Sequence, residues 1–148
     1  MVRDRAWPVV RLRGLRERIL LARVLVLAPV VPVLMRLPLP LVDRLLTSWP
    51  RGGRALGLDA DRVAAVVEAA QQAAHPLVRR GCLTRGVTLF WLLRGREEGL
   101  RLVFGIGGPA DGYSGHCWLE RRGELCLERV DPRQRFPEQY AIPLARAA

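Results

Sequence analysis

Arg80-Gly81-Cys82-Leu83-Thr84-Arg85-Gly86-Val87-Thr88-Leu89-Phe90-Trp91-Leu92-Leu93-Arg94-Gly95 is the stretch around which the rest of the chain is ordered. Leu83, Val87, Phe90, Trp91 and Leu93 recur at helical spacing, which predicts a helix opening near Cys82, closing at Gly95 and carrying an apolar stripe behind the cysteine. After it the period changes. Leu100-Arg101-Leu102-Val103-Phe104-Gly105-Ile106 comes close to strict alternation, and strands are expected at Tyr113–Glu120 and Glu124–Val130, on either side of the turn Arg121-Arg122-Gly123. Gly105-Ile106-Gly107-Gly108 reads as a bend between strands; it lacks the lysine and the following helix of a phosphate-binding loop. A helix followed by antiparallel strands is an α+β order.

Upstream, Asp59 is placed to cap a helix over Ala60–Ala74, where Val63, Val66, Val67 and Ala70 share a face, and His75-Pro76 ends it. Ser48-Trp49-Pro50-Arg51-Gly52-Gly53 is a turn-rich connector and divides the chain into residues 1–53 and 54–148. The first part is basic and leucine-rich. It predicts a helix from Arg11 to Leu27, broken by Pro29 and Pro32, and a second from Pro40 to Thr47. The apolar run Val24–Met35 is interrupted by both prolines, ends in Arg36-Leu37-Pro38 and lacks a cleavage site, so it reads neither as a signal peptide nor as a membrane span.

The 148 residues suit a single compact domain, and all 24 basic residues are arginine, which against 14 acids leaves a formal charge of +10. Charge of that size calls for an anionic partner: a polyanion, an acidic peptide or a membrane surface. Cys82, Cys117 and Cys126 form an odd set with no repeated framework, which favours a reducing, cytoplasmic setting over a disulfide scaffold. Zinc is disfavoured, since no Cys-x-x-Cys or His-Glu-x-x-His occurs and His116 and Cys117 leave a strand on opposite faces. No cofactor is implied.

A cysteine in the first turn of a helix is where a thiolate is favoured, because unpaired N–H groups and the helix dipole attract negative charge; Arg79, Arg80 and Arg85 add to the positive field. The same N–H groups can hold an oxyanion. Of the two histidines, His75 stands at a helix end beside Pro76, whereas His116 lies in Tyr113-Ser114-Gly115-His116-Cys117-Trp118-Leu119-Glu120, with small residues on one side and Trp118 as an apolar wall. Cys82 is thus the candidate nucleophile and His116 its base. A three-residue loop at Arg121-Arg122-Gly123 sets Glu128 opposite His116, whereas a two-residue loop sets Leu127 or Arg129 there. Glu128 is the candidate orienting carboxylate, and Asp131, in the Asp131-Pro132 turn, is the reserve.

Cys82-Leu83-Thr84-Arg85 with the helix Val87–Arg94, then Leu102–Gly107, then Gly115-His116-Cys117-Trp118-Leu119-Glu120, resembles the lasso peptide biosynthesis B2 proteins. The resemblance implies a papain-like, transglutaminase-like core with a Cys, His, Asp catalytic order. It implies a leader peptidase that trims the precursor of a threaded peptide, with a separate small B1-type protein recognising the leader and a cyclase closing the ring. Where that family usually has alanine after the histidine this chain has Cys117, and where it usually has Asp it has Glu128. Residues 1–53 are then a surface for packing or for docking the B1-type partner, the leader or the cyclase, with membrane contact as a further reading of the same arginines. The competing classes are a transglutaminase-type acyltransferase using the same residues and a non-catalytic basic protein that binds nucleic acid or membrane. Nucleic acid is disfavoured, since Phe90, Trp91 and Trp118 are assigned to core or site positions.

Overall fold

The computed structural model describes residues 12–48, 55–108 and 112–144. Helices α1 (Leu15–Leu27), α2 (Val31–Leu34), α3 (Leu39–Ser48), α4 (Ala60–Ala73) and α5 (Cys82–Leu93) precede strands β1 (Leu100–Gly107), β2 (Ser114–Arg121), β3 (Glu124–Cys126) and β4 (Glu138–Ile142). The strands form an antiparallel sheet in the order β3-β2-β1-β4. The α+β order expected from the sequence is the observed one.

The α-helix expected up to Leu27 ends there, at the prolines; Arg11, its expected start, lies outside the described residues. The chain is not turned aside, because a 3-10 turn at Ala28–Val30 carries it from α1 into α2 with Leu27, Ala28, Val30 and Val31 all in right-handed helical conformation. Each proline sits at the start of a short helical segment, where its missing N–H has no acceptor to lose. α1 is held to α4 by Glu17, which is buried, takes the Arg62 guanidinium at 2.6 and 2.7 Å and accepts the Arg13 backbone N–H. The Arg62 hydrogen bond, followed by that of Arg13, lowers the Glu17 carboxyl to about 2. Arg62 also gives its backbone N–H to Asp59 at 2.8 Å, the cap expected for α4.

Leu20 and Val24 of α1, Val42 of α3, Val63 and Val67 of α4, Phe90 and Leu93 of α5, and Leu102, Leu119 and Ile142 of the sheet belong to one buried core. Residues on both sides of the expected boundary at 53 therefore pack together; of the connector expected at 48–53, Ser48 ends α3 and the rest lies outside the described residues. The other face of the sheet holds a smaller cluster of Val103, Trp118 and Ala141, with Leu125 and Phe136 against it. There the Trp118 indole donates to the buried Glu120 carboxylate at 2.9 Å.

Two further expectations are corrected. Gly105 and Gly107 form no bend but lie inside β1, where the segment before β4 presses on them: a β-carbon at Gly105 would stand 2.5 Å from the Phe136 carbonyl oxygen and 2.8 Å from the Trp118 ring. β4 itself was not anticipated, being five residues between Pro137 and Pro143 with a polar start. Gly105→Ala should therefore destabilise the protein by about 1–3 kcal/mol or more, as overpacking against backbone does. Gly115→Ala, whose β-carbon would meet the nearest atom at an ordinary 3.8 Å, should change stability by less than about 0.5 kcal/mol. Thermal or urea unfolding of the two variants reads the contrast.

Candidate active site

Cys82 is the first residue of α5, and the turn that delivers it is built by its neighbours. Gly81, the N-cap, has φ 137°, a conformation that side chains disfavour. Buried Gln71 of α4 donates from Nε2 to the carbonyls of Arg79 at 3.1 Å and Gly81 at 3.2 Å, bracing the segment before the cysteine. Farther along α5, Gly86 lets the helix lie close on the sheet, since a β-carbon there would stand 3.0 Å from Cys117 Sγ and from Leu102 Cδ1. The start of β2 is thereby placed beside the start of α5.

Cys82, His116, Cys117 and Glu128 line one cleft of about 480 Å³, together with Glu68, Gln71 and Arg85. His116 lies beside two aromatic rings, with centroid distances of 6.3 Å to Trp118 and 5.2 Å to Phe136. Trp118 was expected as that wall. Phe136 was not, since it arrives from a segment far along the chain and carries no local signal.

Glu128 reaches the cleft by a route the sequence did not suggest. The register pairs Arg121 with Glu124, Glu120 with Leu125 and Leu119 with Cys126, so the loop has two residues, Arg122 and Gly123, with φ of 54° and 84°. The three-residue loop is thus corrected; continued, the observed register would set Arg129 opposite His116. β3 stops first. Leu127 takes φ 62°, which breaks the alternation and delivers Glu128 to the cleft instead. Arg85 fixes this bend by donating to the Leu127 carbonyl at 2.6 Å, to Glu128 Oε1 at 2.9 Å and to Glu68 Oε1 at 3.1 Å. Asp131 is exposed and bound to Arg133, away from the cleft lining.

Two of the three arginines expected to supply a field at the cysteine are engaged elsewhere. Arg85 serves Glu68 and Glu128, and Arg80 donates to the carbonyls of Gln71 and Gln72. The Cys82 thiol is nonetheless lowered to about 5, first by a hydrogen bond from the Cys117 side chain, against an opposing effect of burial, then by the Cys117 backbone N–H and by attraction to His116. Cys117, buried and paired with the same sulfur, is pushed up and keeps its proton. Burial pushes Glu128 up, while the Arg85 and His116 charges pull it down. Sequence reasoning assigned Cys117 no role, because its distance from Cys82 is a tertiary property. Among the described residues no cluster of three His, Cys, Asp or Glu side chains is placed to hold a metal ion.

A thiol lowered to about 5 is ionised above that pH and protonated below it. Alkylation of Cys82 by iodoacetamide should therefore rise through a midpoint near 5 and be level by neutral pH, whereas an ordinary thiol keeps accelerating to about 8.5. Cys117→Ala should move the midpoint upward, and Cys117→Ser, which restores a donor, should return part of the shift. Mass-spectrometric alkylation rates across pH check both; an unmoved midpoint in Cys117→Ala refutes the hydrogen bond as the main cause.

No match was found among curated proteins or among solved structures. The profile of the transglutaminase-like superfamily, whose members are typically cysteine peptidases or acyltransferases, matches residues 24–140, from α1 through β4. The chain belongs to the transglutaminase-like superfamily.

Proposed function

We propose that this protein is a cysteine peptidase that removes the leader from a ribosomally made lasso peptide precursor. The observation that carries the chemistry is a cysteine at a helix start, its thiol lowered to about 5, in a cleft that it shares with a histidine and a half-buried carboxylate. In this reading the Cys82 thiolate attacks the scissile carbonyl carbon, and the oxyanion is received by N–H groups of the first turn of α5. His116 gives a proton to the leaving amine as the C–N bond breaks, leaving a thioester on Cys82. Water then attacks the thioester, His116 takes its proton and the C–S bond breaks. Glu128, anchored by Arg85, steadies the imidazole.

The lasso precursor follows from the sequence resemblance around Cys82 and His116. On the same ground we assign leader recognition to a separate B1-type protein and place the cyclase as the enzyme that takes the trimmed core. An acyltransferase would use the same thioester and differ only in passing it to an amine, so the products distinguish the two.

The test is purified protein with full-length precursor, with and without the B1-type partner, read by mass spectrometry. Free leader and core are expected, formed much faster with the partner at low precursor concentration. Cys82→Ala and His116→Ala should each abolish turnover, Glu128→Gln should be less severe by roughly two orders of magnitude, and Asp131→Asn should remain near wild type. Amide products in place of hydrolysis would favour the acyltransferase; turnover that survives Cys82→Ala would end the proposal.

A further inference from the structure

The helical rod from α1 to α2 is apolar on two opposite sides. Leu20, Val24, Ala28 and Val31 face the core and are fully or almost fully buried. At about 100° per residue, Leu15, Ile19, Val26, Val30 and Val33 fall together roughly half a turn away. They are exposed, with Leu15 at 72 %, Val26 at 74 % and Val33 at 60 %. A strip on the order of 30 Å long is thus left without a protein partner among the described residues.

The charges beside this strip identify its occupant. Arg16 and Arg18, both exposed, lie to either side of it on the helical projection, and exposed Arg36 follows in the turn after α2. The sole acid between residues 12 and 42 is Glu17, which is turned inward onto Arg62. Among the described residues the rod itself turns arginines outward and no carboxylate, unlike a protein interface, where mixed signs set register and choice of partner. It fits a surface that is anionic throughout and apolar just beneath. No described helix is long and apolar enough to cross a membrane, so any contact made by this rod lies along the surface.

We propose that the α1–α2 face seats the protein on an anionic lipid surface, with the apolar strip entering the headgroup boundary and the arginines pairing with lipid phosphates. This goes beyond the peptidase reading and does not depend on it.

The experiment is flotation of the full chain with vesicles of phosphatidylcholine alone or with phosphatidylglycerol at one part in three. Partition into the anionic vesicles should exceed that into the neutral ones at least tenfold. The triple variant Leu15→Ser, Val26→Ser, Val33→Ser keeps the charge and should lose at least tenfold of the partition, with its melting temperature and Cys82 alkylation rate unchanged. Arg16→Gln, Arg18→Gln and Arg36→Gln should each lower it by about fivefold. Equal binding by the serine variant would reduce the effect to nonspecific attraction of a basic protein and overturn the proposal. So would an absence of binding by the wild type, including the case where sedimentation shows the strip covered by a second copy of the chain.

Discussion

The close approach of α5 to the sheet at Gly86 is the contact on which the site depends. With no side chain at that position, the helix settles until Cys117 Sγ and Leu102 Cδ1 lie only 3.0 Å from where a β-carbon would stand. Cys82, one turn earlier, is thereby carried beside the start of β2, where the neighbouring Cys117 lowers its thiol. A residue larger than alanine at Gly86 would press on the Cys117 and Leu102 side chains and so push the helix away from the sheet. Gln71 acts from the other side, holding the Arg79 and Gly81 carbonyls so that the turn before Cys82 cannot drift.

Local patterns in the sequence were enough to identify Asp59 as a cap, Cys82 as a helix start and His116 as a strand residue. Each depends on spacing or on the preference of one residue type for one backbone position. What could not be read locally is equally specific. The course of the chain past β3 depends on Leu127 in a left-handed conformation, which leucine does not announce and which Arg85 enforces from a different helix. Glu128 was the candidate chosen and does line the cleft, although the hairpin argument for it used a register the structure does not have. Phe136 and Cys117 were missed as neighbours because both contacts join segments distant in sequence. Pro29 and Pro32 close α1 at Leu27 as expected, but the short helical segments that follow were not legible, since each proline is tolerated near the start of one.

Arg85 shows why arginine is not interchangeable with lysine at this position. Its planar fork reaches two carboxylates and a carbonyl at once, from α4, from the bend after β3 and from the residue that makes the bend. A single ammonium at the end of a flexible stem could satisfy one of these partners at a time. Glu68 is shared further with Arg129, so the rim of the cleft is a continuous chain of charge-assisted hydrogen bonds rather than isolated pairs.

The lowering of the Cys82 thiol by Cys117 has a consequence for a chain that is not yet folded. The two residues belong to different elements, and nothing local brings them together. In a nascent or partly unfolded chain Cys82 therefore has an ordinary thiol, slow to attack and mostly protonated at neutral pH. Its lowered pKa needs α5 docked on β2, so the side chain is chemically quiet until that contact has formed. A chain that misfolds disarms itself.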